Sequence, residues 1–440
     1  MASLYDVLAE KIPVWRDRIN GLVEEYGDTV ISEITLKQLC GGLRGVQAII
    51  CNTSYVHPEK GLFIRGIPIS QLTDRLPEEI FFLLCTGDLP DEKALSSLQE
   101  DLKARAEVPN YVWDIIKYLP EGTHPMVILS TALLSMQRQS VFARKYSEGM
   151  RKGDHWETTL EDALQIIAKI PTIVAGIYRM RVVYKKRILS DPYRDWGGDF
   201  AHMMGADDPD EEFPNLIRLY MVLHCDHEGG NVSANVCRIV NSALSDPYYS
   251  ISAGLNGLAG PLHGLANQEC LKYVQAIEEN FKGVPSEEQL REYVWATLHS
   301  GRVIPGYGHA VLRATDPRFT ALLEFGKKVC PYDNVFRIVE LLYKVVPDVL
   351  KEHGKAKNPW PNVDAASGAL LYHFGITRFD FYTVMFAASR ILGMCAQMIM
   401  NRAMFAPIYR PKSVTTDWIE QQVKQKAVKK SANSAKSAGE

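Results

Sequence analysis

The polar residues that could do chemistry gather in four segments of this 440-residue chain: HCDHEGGN (224–231), NGLAGPLHGLAN (256–267), VIPGYGHAVLRATDPR (303–318) and GKAKNPWPNVDAASG (354–368). All hold Gly or Pro, and among them they carry His, Asp, Arg and Lys, as expected of working loops on a rigid scaffold. His263 follows Pro261-Leu262 and precedes Gly264, and His309 follows Pro305-Gly-Tyr-Gly. Glycine there lets the backbone turn tightly and a ligand approach closely. Either imidazole alone is as much a structural hydrogen-bonder as a catalyst; two in separate permissive loops suit paired acid–base work. Asp364 lies behind Pro359-Trp-Pro and ahead of Ala365-Ala-Ser-Gly. Apolar neighbours would raise its pKa and make it a base; an Asp before Ala-Ala-Ser would equally start a helix.

His224 and His227 stand three apart, which can present two ligands on one helical face. No third ligand has motif spacing, and HEGG is not HExxH, so no metal is expected; hydrogen bonding at a helix end or a substrate contact fits better. Arg390 sits within the apolar stretch 381–400. A buried guanidinium needs either an internal carboxylate or a substrate carboxylate, which Arg grips bidentately. Arg318, after Asp316-Pro317, and Arg410, before Pro411, are further candidates. Lys355 and Lys357 flank Ala356 in a Gly-led loop, where two ammonium groups suit phosphates or simply face solvent.

The elements that must position these residues are helical. Residues 4–25 place apolar groups at 4, 7, 8, 12, 15, 19, 22 and 23, close to a 3.6 repeat. Ser286 and Gln289 form a capping box. Similar patterns cover 161–170, 213–224, 335–350 and 381–402, the last reading as a core helix and not a membrane span. Strand-like segments are few and early, 46–51 and 62–65, separated by the turn-rich HPEKG. The expected fold class is therefore all-α with a small early β-ribbon. GxGxxG and GxxxxGK[ST] are both absent, which argues against a Rossmann or P-loop nucleotide site.

Hydrophobic residues at 46% and charged residues at 23% exclude a largely disordered chain. Lys+Arg number 49 against Asp+Glu 52, a net charge of -3, so neither nucleic acid nor an anionic membrane is expected as main partner. An anionic ligand must be held by local cations. The eight cysteines form no CxxC and read as reduced thiols. The start MASLYDVLAEKIPVW has Asp6, Glu10 and Lys11 where a signal peptide needs an apolar run. The end, KQKAVKKSANSAKSAGE, is expected as a disordered tail from about residue 428.

In order, HCDHEGGN, GLNGLAGPLHGLANQE, SGRVIPGYGHAVLRATDPR, GKAKNPWPNVDAASG and RPKS resemble the citrate synthase family of the eukaryotic mitochondrial type. The resemblance runs from LYDVLAEKIP to RPKS. It implies a two-domain helical fold: a large domain of residues 1–264 and 379–440, and a small domain of residues 265–378 that closes over it. It implies an acyltransferase of the citrate (Si)-synthase kind, condensing acetyl-CoA with oxaloacetate and hydrolysing citryl-CoA, at the entry to the tricarboxylic acid cycle. Asp364 would take the methyl proton, His263 would stabilise the enol or enolate, and His309 would polarise and protonate the ketone. His227, Arg318, Arg390 and Arg410 would hold oxaloacetate, with Arg410 reaching in from the neighbouring subunit of a homodimer. Arg44, Arg313, Lys355 and Lys357 would surround the coenzyme A phosphates; Val303, Gly306 and Asn362 would line the adenine pocket. No permanently bound cofactor is implied, coenzyme A arriving as the acetyl-CoA co-substrate. The expected compartment is the mitochondrial matrix, with a presequence outside this sequence. Two rivals remain at this stage: a 2-methylcitrate synthase using propionyl-CoA, and a filament or scaffold role on the same fold.

Overall fold

The computed structural model of the chain describes residues 3–208, 210–309 and 311–437, with side chains as far as Lys426. It divides into two compact units, Met1–Ala406 and Pro407–Glu440. In the first unit the Tyr382–Ala403 helix forms the centre, with Ile391, Met394, Met398 and Ile399 almost wholly buried. Packed on it are the helices Pro77–Thr86, His155–Ile177, Phe213–His224, Val232–Ser242 and Pro247–Leu258. A helix apolar on every side has no stable place except such a centre. Each large apolar side chain buried there contributes about 1.5–3 kcal/mol, so truncating Leu392 to Ala should cost about 2–5 kcal/mol.

Five further helices pack on one another: Ala266–Phe281, Glu287–His299, Pro317–Val329, Asn334–His353 and Asp364–His373. The capping box expected at Ser286 is present: Ser286 Oγ accepts the Gln289 N–H, and Gln289 Oε1 accepts the Ser286 N–H at 2.9 Å. The expected helices over 4–25, 213–224, 335–350 and 381–402 appear as Leu4–Tyr26, Phe213–His224, Asn334–His353 and Tyr382–Ala403.

The β-ribbon is an antiparallel sheet of β1 (Ser54–His57), β2 (Gly61–Ile64) and β3 (Ile67–Pro68), with Tyr55 opposite Phe63. The second expected strand is in place, but the first is not 46–51. The turn joins the strands directly, so pairing begins at His57↔Gly61 and the partner strand lies just before the turn. Seven cysteines are buried or half-buried, Cys40 is exposed, and all eight are free thiols.

In the second unit an extended stretch leads to the helix Thr416–Ser437. The backbone is thus helical through most of the segment expected as a tail, as far as Ser437.

Candidate active site

The 224–231 segment leaves the end of the Phe213–His224 helix. His224 Nδ1 lies 2.9 Å from the Tyr220 carbonyl oxygen, which can only accept, so the ring proton sits there. Asp226 is fully buried and accepts from Thr53 Oγ1 at 2.6 Å, Ser54 Oγ at 2.8 Å and Gln397 Nε2 at 2.8 Å. Glu228 accepts the Val56 N–H at 2.8 Å and has a left-handed backbone, φ +60°. These bonds pin the loop between the β-ribbon and the Tyr382–Ala403 helix, with His227 held between two anchored neighbours. Asn231 Nδ2 donates to the His227 carbonyl at 2.9 Å while its Oδ1 caps the next helix.

His263 and His309 are fixed as opposite tautomers. His263 Nε2 accepts the backbone N–H of Ser233 at 3.3 Å and lies 3.0 Å from Ser233 Oγ. An amide only donates, so the neutral ring carries its proton on Nδ1. His309 Nδ1 accepts the N–H groups of Val311 at 3.0 Å and Leu312 at 3.1 Å, so its proton is on Nε2. The His227 and His309 ring centroids are 5.6 Å apart.

The loops carrying His309 and Asp364 pair like two short strands. Gly308 N–H donates to the Trp360 carbonyl at 3.1 Å, Asn362 N–H to Gly306 at 2.9 Å, and Asp316 N–H to Pro361 at 3.2 Å. Asn362 Nδ2 reaches the Gly308 carbonyl at 3.0 Å and its Oδ1 accepts the Asp364 N–H at 3.0 Å. Gly306 has φ +79°, and a Cβ there would lie 2.8 Å from Cys270 Sγ and 2.9 Å from Ala365 Cα. No other residue fits that crossing.

Burial sets the electrostatics. It pushes His263 down to about 4, helped by Arg390, and His309 down to about 4, helped by Arg318. It holds His227 well below the ordinary value, again with Arg318 and Arg390 adding to the effect. All three imidazoles are therefore neutral at physiological pH. Burial raises Asp364 to about 6 against the pull of Arg318. Among the described residues no hydrogen bond is made to its carboxylate, which leaves both oxygens for a substrate.

Two buried guanidiniums face this group. Arg318 is paired with Asp316, Nη2 to Oδ2 at 2.8 Å and Nε to Oδ1 at 3.1 Å. Arg390 is 2% exposed; its Nε donates to the His224 carbonyl at 3.1 Å and its face lies over Phe386 at 4.7 Å. Its two terminal nitrogens have no hydrogen-bond partner among the described residues. The internal ion pair that a buried Arg390 could have had is absent there, which favours an incoming carboxylate.

The structure thus gathers His227, His263, His309, Arg318, Asp364 and Arg390. Gly306 and Asn362 belong to the loop crossing. Arg44, Val303, Arg313, Lys355 and Lys357 are exposed. Arg313 Nη1 donates to the Leu312 carbonyl at 2.6 Å. Arg410 is exposed and lies in the second unit. Sequence reasoning missed Ser233 and Asp226, whose roles depend on distant partners, and Asp316, whose partner is Arg318 two residues on. Asp316 did carry a signal, since Asp before Pro opens a helix, and its Oδ1 accepts the Arg318 N–H at 3.0 Å.

Neutral imidazoles of fixed tautomer, an ionisable carboxylate in a dry site and two buried cations define an acid–base enzyme for an anionic substrate. The family model for the citrate synthase C-terminal domain matches residues 42–412. The chain is 47% identical over 428 residues to mitochondrial citrate synthase 4 of Arabidopsis thaliana, covering 95% of this chain and 90% of that protein. It is 46% identical over 426 residues to the mitochondrial citrate synthase of Xiphias gladius, covering 94% and 90%. The crystal structure of citrate synthase from Pyrobaculum aerophilum superposes with a TM-score of 0.78 at 29% identity, covering 88% of this chain and 97% of that one. The chain belongs to the citrate synthase family.

Proposed function

We propose that this enzyme condenses acetyl-CoA with oxaloacetate and hydrolyses the citryl-CoA formed to citrate and coenzyme A. The observation that carries the reading is Arg390: a buried guanidinium with both terminal nitrogens unpartnered among the described residues, beside a carboxylate of raised pKa and two neutral imidazoles of opposite tautomer.

Asp364 takes a proton from the acetyl methyl group. A thioester methyl is a very weak carbon acid, so its oxygen must be stabilised in the same step. His263 does this through Nδ1–H, the nitrogen left free because Nε2 accepts from Ser233. His309 donates from Nε2–H to the ketone oxygen of oxaloacetate, polarising it for attack and then protonating the alkoxide. Water cleaves the citryl thioester, releasing the coenzyme A thiol. Neutral imidazoles are weaker acids than imidazolium but need no counter-ion in a dry site, which matches their depressed pKa values.

His227, Arg318 and Arg390 bind the two carboxylates and the keto group, joined by Arg410 of the neighbouring subunit in a homodimer. Arg44, Arg313, Lys355 and Lys357 hold the coenzyme A phosphates; the exposure of all four suits a polyanion that arrives from solvent. Val303, Gly306 and Asn362 line the adenine pocket. Residues 265–378 act as a small domain closing on residues 1–264 and 379–440 once oxaloacetate is bound, which keeps water out until condensation is done. The named relatives are mitochondrial proteins, and the same compartment, specifically the matrix, is proposed here.

A thiol assay tests the reading. Free coenzyme A should appear only when acetyl-CoA and oxaloacetate are both supplied; an equal rate without oxaloacetate would reveal a simple thioesterase.

A further inference from the structure

Arg390, Gly393 and Gln397 stand at i, i+3 and i+7, one stripe of the Tyr382–Ala403 helix. The whole stripe is bonded to residues 224–228. Arg390 Nε donates to the His224 carbonyl at 3.1 Å, the Gly393 N–H to the Cys225 carbonyl at 3.1 Å, and Gln397 Nε2 to Asp226 Oδ1 at 2.8 Å. A Cβ on residue 393 would lie 2.5 Å from Asp226 Oδ1. Glycine is what allows a carboxylate to lie against this helix one turn from Arg390. Asp226 and Arg390 nevertheless form no ion pair among the described residues. Thr53 and Ser54 both donate to Asp226 Oδ2, and Gln397 donates to Oδ1. Ser54 Oγ in turn accepts the Glu228 N–H at 2.7 Å, which directs its own proton at Asp226. Burial raises the Asp226 carboxyl, while Thr53, Arg390, Ser54 and Gln397 all pull it back down, and a ring of pure donors matches the carboxylate form.

We propose that Asp226 is a positioning residue for the substrate dicarboxylate: a fixed counter-charge that balances Arg390 at one remove and leaves its terminal nitrogens open. The inference rests on the condensation reading above. A direct Asp226–Arg390 pair would satisfy the guanidinium and oppose substrate, whereas a buried guanidinium with no anion nearby would be strongly destabilised. The hydroxyl and amide donors hold the anion back from that pair. Burial already lowers Arg390 to about 10, while Asp226 works against the fall. The other groups facing Arg390 are Cys225, His224 and His227 from the loop, Tyr220 from its helix, His263, Arg318 and Asp364.

Asp226→Asn and Thr53→Val test this, each assayed for both substrates. Asp226→Asn should raise the oxaloacetate KM about tenfold or more, with the acetyl-CoA KM within about twofold. An oxaloacetate KM like the parent's, or equal losses for both substrates, overturns the inference. If Asp226→Asn does not fold, Thr53→Val decides. It keeps the charge but frees a lone pair to turn toward Arg390, so the oxaloacetate KM should rise severalfold; no change overturns the inference. A parent enzyme that releases no coenzyme A from the substrate pair overturns the condensation reading itself, and this inference with it.

Discussion

Asn362 Nδ2 donates to the Gly308 carbonyl at 3.0 Å, tying the segment that carries Asp364 to the one that carries His309. The same side chain accepts the Asp364 N–H, so one amide sets the spacing of the proposed base and the proposed acid on separate segments. Asn362→Ala should therefore lower kcat by about 10- to 100-fold, because small misplacements of reacting groups are costly. Steady-state kinetics separates this from a coenzyme contact alone, which would raise the acetyl-CoA KM and spare kcat.

Asp364→Asn should abolish condensation while oxaloacetate still binds, since the carboxylate grips lie elsewhere. Calorimetric titration with oxaloacetate alongside the thiol assay checks both halves. Loss of binding together with turnover would assign Asp364 a structural role instead.

The pH dependence follows from the same group. A base must be ionised, so kcat/KM should fall as pH drops through about 6, the value to which burial raises Asp364. His263 and His309 titrate lower, near 4, and should not set this limb. The stability effect has the opposite sense. A carboxyl raised on folding contributes stability below its unfolded pKa, and that contribution is lost as pH rises through the folded value. Asp364→Asn should thus melt higher than the parent above about pH 6, by up to about 3 kcal/mol, and alike near pH 4. Thermal melts across that range measure the difference.

The elements were largely legible in the sequence, and so were the side chains that the structure gathers at the candidate site. Long apolar periodicities gave the helices at 213–224 and 381–402 almost to the residue. The motif-rich segments gave His263, His309 and Asp364, and a lone charge inside an apolar helix gave Arg390. What sequence could not give were links between distant positions: Ser233 to His263, thirty residues apart, or Thr53 to Asp226, 173 apart. Neither partner has a composition signal of its own. The misplaced first strand of the ribbon has a similar origin, because residues 46–51 look β-prone while the ladder is set by the turn.

Arg390→Ala should weaken oxaloacetate binding by about 2–5 kcal/mol, and Arg390→Lys should restore only part of it, because an ammonium cannot make the bidentate grip. Binding measured on the folded fraction is decisive. Variants that unfold yet bind normally when folded would make Arg390 a purely structural cation.

The proposed sharing of the site between subunits can be tested by mixing. Asp364→Asn and Arg410→Ala homodimers should each be nearly inactive. After unfolding, equal mixing and refolding, half the dimers are mixed and each regains one site of two, so about a quarter of parent activity should return. No recovery, with mixed dimers confirmed by mass, would place Arg410 in its own chain's site.

The central helix carries a hazard that its buried charge reduces. The stretch Phe379–Ala403 is long and apolar enough to cross a lipid bilayer. While the chain is still unfolded beside a membrane, nothing in its length prevents lateral insertion. Arg390 lies near the middle of that stretch, where a guanidinium raises the insertion free energy by about 2.5–3.5 kcal/mol. The residue proposed to grip a substrate carboxylate in the folded enzyme thus also biases the nascent helix toward water and the protein core. Replacing it with Leu would remove a ligand grip and at the same time make the unfolded chain a better membrane segment.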